Sequence, residues 1–137
     1  MQIDFIHNIN NFGESVVRLF NFDKFQSNQL REAIEQTILT DQKPLDLMTL
    51  PFVQPVTCNL VLRISDEDIG IEDLEKVTFF CDLTLEAYRQ MVTLIEPFCK
   101  KESSAHQWLY DVDTHIDLLF VPSGTSQADD DEEEDGK

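Results

Sequence analysis

Residues 57–65, TCNLVLRIS, alternate between apolar and polar side chains, and this pattern restricts the fold more than any other feature of the chain. A period of two places every second side chain on the same face of a β-strand. Residues 76–83, KVTFFCDL, repeat the alternation. The apolar faces of the two predicted strands consist of Cys58, Leu60, Leu62 and Ile64, and of Val77, Phe79, Cys81 and Leu83.

A first helix is predicted where the spacing of apolar residues changes to that of an amphipathic helix. Asp23 followed by Gln26, or alternatively Ser27, is typical of a helix N-cap. The helix should end by Asp41, because Pro44 cannot continue it. Its apolar stripe consists of Leu30, Ala33, Ile34, Thr37 and Ile38.

A second helix should begin near Thr84. Pro97 must end this helix or bend its last turn, because proline lacks a backbone N–H and clashes with the preceding turn. The apolar stripe consists of Leu85, Tyr88, Met91, Val92, Ile95 and Cys99.

Further strands are predicted on both sides of these elements, at 2–7, 14–22, 105–110 and 115–121. The resulting order is β-β-α-β-β-α-β-β, in which strands joined by short turns usually pair antiparallel. We therefore expect an α+β fold, with a mainly antiparallel sheet of about six strands and both helices packed on one face. The first two thirds also allow a duplicated ββα unit.

The domain is predicted to span residues 1–122, with a disordered acidic tail at 123–137. Residues 129–137 contain seven of the 27 acids and one of the ten bases, which leaves a net charge of −11 on residues 1–128. The acidity is therefore a property of the domain as well as of the tail.

This charge excludes two classes of partner. Nucleic acids and anionic membranes are bound through clustered Lys and Arg, which the chain lacks. A protein with a basic surface is the partner that the charge favours. No signal peptide is evident in residues 1–12, and three widely spaced cysteines without a CxxC pair indicate reduced core thiols, so we expect a cytoplasmic protein.

Residues 108–120, WLYDVDTHIDLLF, contain Asp111, Asp113 and His115 at alternate positions. On one continuous strand these side chains, with Asp117, would form a plausible set of metal ligands. Apolar blocks on both sides and the turn-forming DVDT segment favour a hairpin instead, with His115 paired to Asp111 or Asp113. A metal site at Asp111, Asp113 and His115 remains the alternative hypothesis.

The segment 66–75, DEDIGIEDLE, is predicted to be an acidic loop between two strands. Its spacing does not fit a calcium-binding EF-hand, because Gly70 occupies a ligand position and Ile71 the position of the glycine. We assign the loop to partner binding through Asp66, Glu67, Asp68, Glu72, Asp73 and Glu75.

The sequence contains no established catalytic or cofactor motif, so no catalytic residue and no cofactor are assigned. The leading hypothesis is a non-enzymatic interaction module that binds a basic protein surface, and one version of it is an inhibitor or immunity-like protein. A metal-dependent site is the rival from another class. A third hypothesis is a homodimer formed through an exposed sheet edge or face.

Overall fold

The computed structural model describes residues 1–6, 15–75, 77–102, 105–110 and 116–122, and for residues 73–75 it describes the backbone alone. The α+β class with two helices is confirmed. In chain order the described elements are β1 Gln2–Ile6, β2 Ser15–Phe20, α1 Lys24–Ala33, β3 Leu45–Asp46, β4 Gln54–Pro55, β5 Asn59–Ile64, β6 Gly70–Glu75, β7 Thr78–Leu83, α2 Leu85–Lys100, β8 Gln107–Tyr110 and β9 Ile116–Val121.

These strands form two mixed sheets instead of one mainly antiparallel sheet of about six strands. The five-stranded sheet has the order β4-β1-β2-β9-β8, and the four-stranded sheet has the order β3-β5-β7-β6. Neighbours along the chain pair antiparallel, as in β1–β2, β6–β7 and β8–β9. At the centre of each sheet, however, two strands that are not consecutive in the chain run parallel: β2 with β9, and β5 with β7.

The topology divides the fold into two similar halves. In each half a hairpin leads directly into a helix: β1–β2 into α1, and β6–β7 into α2. The last strand after each helix then joins the hairpin of the other half in parallel: β5, which comes after the short strands β3 and β4, joins β7, and β9, which comes after β8, joins β2. A hairpin followed by a helix thus occurs twice, but the second hairpin pairs β6 with β7, whereas the predicted second ββα unit consisted of the segments that form β5 and β7.

Local signals placed both helices correctly. Asp23 Oδ1 accepts a hydrogen bond from the Gln26 backbone N at 2.8 Å, and Gln26 Oε1 accepts one from the Asp23 N at 3.4 Å, which completes a capping box. α1 continues as a π-helix through 34–40 and ends before Pro44. Thr84 caps α2, which runs past Pro97 to Lys100.

Both sheets and both helices bury their apolar side chains in one shared core. β1 contacts β5 and β6 contacts β9, so the two sheets pack against each other, and α1 packs against α2. The Phe120 ring lies 4.1 Å from Phe22 and 5.1 Å from Phe98, measured between ring centroids. Cys58 and Cys81 are buried in this core, and none of the three cysteines, all of which are described, forms a disulfide. Among the described helices, none has both the length and the apolar character needed to cross a membrane.

Candidate functional site

The acidic segment 66–75 is half loop and half strand. Residues 66–69 form a loop, but Gly70–Glu75 is strand β6, at the edge of the four-stranded sheet. The prediction of a loop throughout was therefore wrong for Glu72, Asp73 and Glu75. Ile71 is buried while Glu72 is exposed, which is the alternation of a strand. Charged residues on an edge strand disfavour indiscriminate pairing with other chains. In this sequence they made the strand resemble a loop.

A glycine allows the loop to enter β6. Gly70 has a φ of 96°, a left-handed conformation that is readily accessible to glycine and costly for residues with a Cβ. Ile69 N donates to the Asp82 carbonyl at 2.9 Å immediately before this turn. The loop is thereby fixed over the end of β7, with its carboxylates at the edge of the sheet.

We call the six predicted residues Asp66, Glu67, Asp68, Glu72, Asp73 and Glu75 the acidic edge. One of them has a structural role: the Asp68 carboxylate accepts hydrogen bonds from the Thr84 N at 2.8 Å and the Thr84 Oγ1 at 2.9 Å, which ties the loop to the start of α2. Asp66, Glu67 and Glu72 are exposed, and among the described residues none of these three has an ion-pair partner. These three carboxylates are available to a partner.

Exposed apolar side chains lie at both ends of β6. Ile69 is 51% exposed just before the strand, and Val77 is 65% exposed just after it. The alternation of residues 76–83 had placed Val77 in the core, which was wrong because Val77 lies in the turn that precedes β7. Strand β6 therefore has one exposed apolar side chain at each end, with the exposed carboxylate of Glu72 between them.

One described cation on this sheet, Arg63, is already engaged by an aspartate. Arg63 on β5 forms a bidentate pair with Asp82 on β7, with an Nε–Oδ1 distance of 2.7 Å and an Nη2–Oδ2 distance of 2.8 Å. The guanidinium also lies over the Phe80 ring, 4.3 Å from its centroid. The hydrogen bonds to Asp82 raise the pKa of Arg63, with a smaller contribution from the charge of Glu72. Arg63 is therefore held by Asp82 through Nε and Nη2, and it forms no ion pair with a described residue of the acidic edge.

A buried amide lies at the opposite end of β5. Asn59 is 8% exposed, and its Nδ2 donates to Asp46 Oδ1 at 2.8 Å. The same carboxylate oxygen accepts the Met48 N at 3.1 Å, and the Asn59 backbone N donates to the Val77 carbonyl at 2.8 Å. Asn59 Oδ1 is buried and has no hydrogen-bond partner. The sequence placed Asn59 on the polar face of its strand but offered no signal for this unpaired acceptor.

The metal-site hypothesis concerns residues that lie outside the described part of the chain, namely Asp111, Asp113 and His115. The strands on either side, β8 and β9, do form the predicted antiparallel hairpin. Within the described ranges, no three His, Cys, Asp or Glu side chains group closely enough to hold a metal ion. His106 is exposed, and its ring lies edge-to-face with Trp108 at 6.2 Å between centroids.

The two cysteines whose protonation is perturbed are poor nucleophiles at neutral pH. Burial raises the pKa of Cys81 to about 12. Burial also raises the pKa of Cys99, although the neighbouring Arg31 opposes the shift. Since the thiolate is the reactive form, both thiols are largely unreactive near pH 7.

Comparison with known proteins finds no matching family model, no matching curated protein and no matching solved structure.

Proposed function

We propose that this protein is a non-enzymatic, cytoplasmic interaction module whose acidic edge binds a basic surface of another protein. The observation that carries the proposal is that Asp66, Glu67 and Glu72 are exposed at a sheet edge without ion-pair partners in the described structure. A net charge of −11 on residues 1–128 adds a long-range attraction for cationic partners.

The apolar ends of β6 favour a protein over a small cation as the bound species. Electrostatic attraction accelerates association and selects the partner, whereas affinity depends mainly on desolvated contacts. Ile69 and Val77, at the two ends of β6, supply such contacts beside the carboxylates. A partner strand or helix with basic residues between two apolar ones would match this arrangement. An inhibitor of a basic enzyme or toxin is one form that such a module can take.

Charge neutralisation tests the proposal. In the edge variant, Asp66→Asn, Glu67→Gln and Glu72→Gln are combined. In the control variant, Glu32→Gln, Glu86→Gln and Glu96→Gln change the net charge equally on the exposed surfaces of the helices. The immobilised proteins are compared for what they retain from lysate, and the affinity of each retained protein is then measured with purified components.

We expect a retained partner to bind the wild type and the control variant similarly, and the edge variant at least about tenfold more weakly. Raising NaCl from about 50 to 300 mM should weaken wild-type binding, because the Debye length falls with ionic strength. Equal binding by the edge and control variants, or binding that salt leaves unchanged, would refute the proposal.

A further inference from the structure

We propose that Asn59, Asp46, Met48 and Val77 form a receptor site for an arginine side chain of the partner protein, which we call the Asn59 site. The inference rests on the proposed function, since it specifies how the basic partner is recognised. It concerns residues at the opposite end of β5 from the acidic loop, and so it can fail while the acidic edge is still confirmed.

The unpaired acceptor of Asn59 is the first step. A buried carbonyl oxygen without a donor is destabilising, and such groups are rare in native proteins. The amide cannot rotate to relieve it, because Asp46 Oδ1 holds Nδ2 at 2.8 Å and a flipped amide would turn its oxygen toward that carboxylate. A partner that supplies an N–H donor would satisfy Asn59 Oδ1 without breaking the bond to Asp46.

The surroundings specify the donor. The Asp46 carboxylate is hydrogen-bonded to the same amide group that carries the unpaired Asn59 carbonyl, and a pair of acceptors so linked suits the planar fork of a guanidinium better than the point charge of an ammonium group. Met48 is 58% exposed and Val77 is 65% exposed, and both are linked to Asn59 by the hydrogen bonds described above. They can pack on the aliphatic stem of an arginine. Because Asn59 Oδ1 is itself buried, binding requires a local movement that uncovers it, and we assign this movement to the unbranched side chain of Met48 as part of the proposal.

The Asn59 site and the acidic edge belong to the same sheet. Asn59 is the register partner of Thr78 on β7, and Thr78 is in turn the register partner of Glu75 on β6. The site and the edge strand are thus two strands apart, about 10 Å at the usual spacing. One bound segment can therefore contact both, with basic residues along β6 and one arginine at Asn59.

The first test uses Asn59→Leu, which keeps the approximate volume and removes the acceptor. The probe is a short uncharged peptide containing one arginine, added to the full-length protein, and matched peptides carry lysine or citrulline instead. Because the acidic run at 129–135 also attracts cations, the readout is the NMR shift of the Met48 methyl group and of the Asn59 side-chain amide. Gln90→Leu, which removes an exposed amide from α2, is the control.

We expect the arginine peptide to shift both signals in the wild type, the lysine peptide to do so more weakly, and the citrulline peptide least. Asn59→Leu should weaken the Met48 response about tenfold or more, as the loss of a bond to a charged donor implies. Gln90→Leu should have no effect. The thermal midpoint of Asn59→Leu should stay near that of the wild type, since removal of the unpaired carbonyl offsets the lost hydrogen bond to Asp46.

A Met48 methyl signal that saturating arginine peptide leaves unshifted would overturn the Asn59 site. A marked fall in the thermal midpoint of Asn59→Leu would make Asn59 a structural residue. In that case Asp46→Asn, which keeps an acceptor oxygen but removes the charge, decides whether arginine binds there. Loss of partner binding in the edge variant alone, with Asn59→Leu unaffected, would confirm the acidic edge and reject the Asn59 site.

Discussion

Removing the hydroxyl of Tyr88 should destabilise the fold by a small, specific amount. Tyr88 is fully buried on α2, and its hydroxyl lies 2.7 Å from the Arg63 carbonyl and 2.8 Å from the Cys81 carbonyl. Those carbonyls belong to β5 and β7, the parallel pair at the centre of the four-stranded sheet. Burial holds the pKa of Tyr88 well above its ordinary value, so the hydroxyl stays a donor throughout the usual pH range. Tyr88→Phe therefore removes a link between helix and sheet without changing the ring.

The geometry limits the size of the effect. A hydroxyl has only one proton, so the two short contacts share a single donor and are worth about one hydrogen bond. Each carbonyl has a second lone pair that can still accept from the sheet, so neither oxygen becomes fully unpaired. We therefore expect a loss of about 1 to 2 kcal/mol, toward the lower end of the cost of unpairing a buried group. In a domain of this size that corresponds to a fall of roughly 3 to 5 °C in Tm for each kcal/mol.

Urea unfolding provides the measurement, with the fluorescence of Trp108, the only tryptophan, and circular dichroism as independent probes. Thr93→Val is the matched control, since it removes an exposed hydroxyl on the same helix that lies 3.1 Å from the Arg89 carbonyl, and should cost less than about 0.5 kcal/mol. If Tyr88→Phe cost no more than Thr93→Val, the hydroxyl would not link α2 to the sheet, and the reasoning would be wrong.

Three further variants test local features of the fold. Asp23→Ala should lower the free energy of unfolding in urea by about 1 kcal/mol, since it removes the capping box of α1, and Asp23→Ser should restore most of the loss. Gln42 has a left-handed φ of 54°, so Gln42→Gly should be at least about 1 kcal/mol more stable than Gln42→Val in the same assay, and a reversed order would contradict the backbone assignment. Burial raises the pKa of Cys81 from 9.0 to about 12, so the unfolded chain loses this proton first and stability falls as pH rises above about 9. Under reducing conditions, the free energy of unfolding of Cys81→Ala should fall by roughly 0.8 kcal/mol less than that of the wild type between about pH 7.5 and 9.5. If both proteins lose the same free energy over this range, groups other than Cys81 cause the fall.

Elements defined by short-range signals could be predicted from the sequence. The caps at Asp23 and Thr84 depend on residues no more than three positions away, and both helices begin where those signals place them. The β8–β9 hairpin was predictable for the same reason, because two apolar blocks surround a turn-forming segment. Strand order was not predictable in this way. The parallel pairs β2–β9 and β5–β7 join segments from different halves of the chain, and no local pattern identifies their partners.

The missed strand β6 shows why the candidate site was harder to predict than the fold. The charged residues of β6 are typical of a loop. They are also typical of an edge strand, because one side of such a strand faces solvent. Composition cannot distinguish these two situations. Only the pairing of Gly70 with Asp82 and of Ile71 with Cys81 places the carboxylates along a sheet edge. Asn59 was harder still, because an unpaired oxygen is defined by what surrounds it in three dimensions.

The net charge alone does not identify a binding surface in this protein, because several of its acidic residues accept hydrogen bonds within the fold. Several of the described aspartates accept hydrogen bonds that hold the fold together: Asp4 from Arg18, Asp23 from Gln26, Asp46 from Asn59 and Met48, Asp68 from Thr84, and Asp82 from Arg63. Removing these acceptor oxygens would weaken folding and partner binding together, and the loss of binding could not be assigned to the surface. In the described structure, no ion pair involves Asp66, Glu67 or Glu72. Because substitution there should leave the free energy of unfolding nearly unchanged, a loss of partner binding in the edge variant can be assigned to the surface itself.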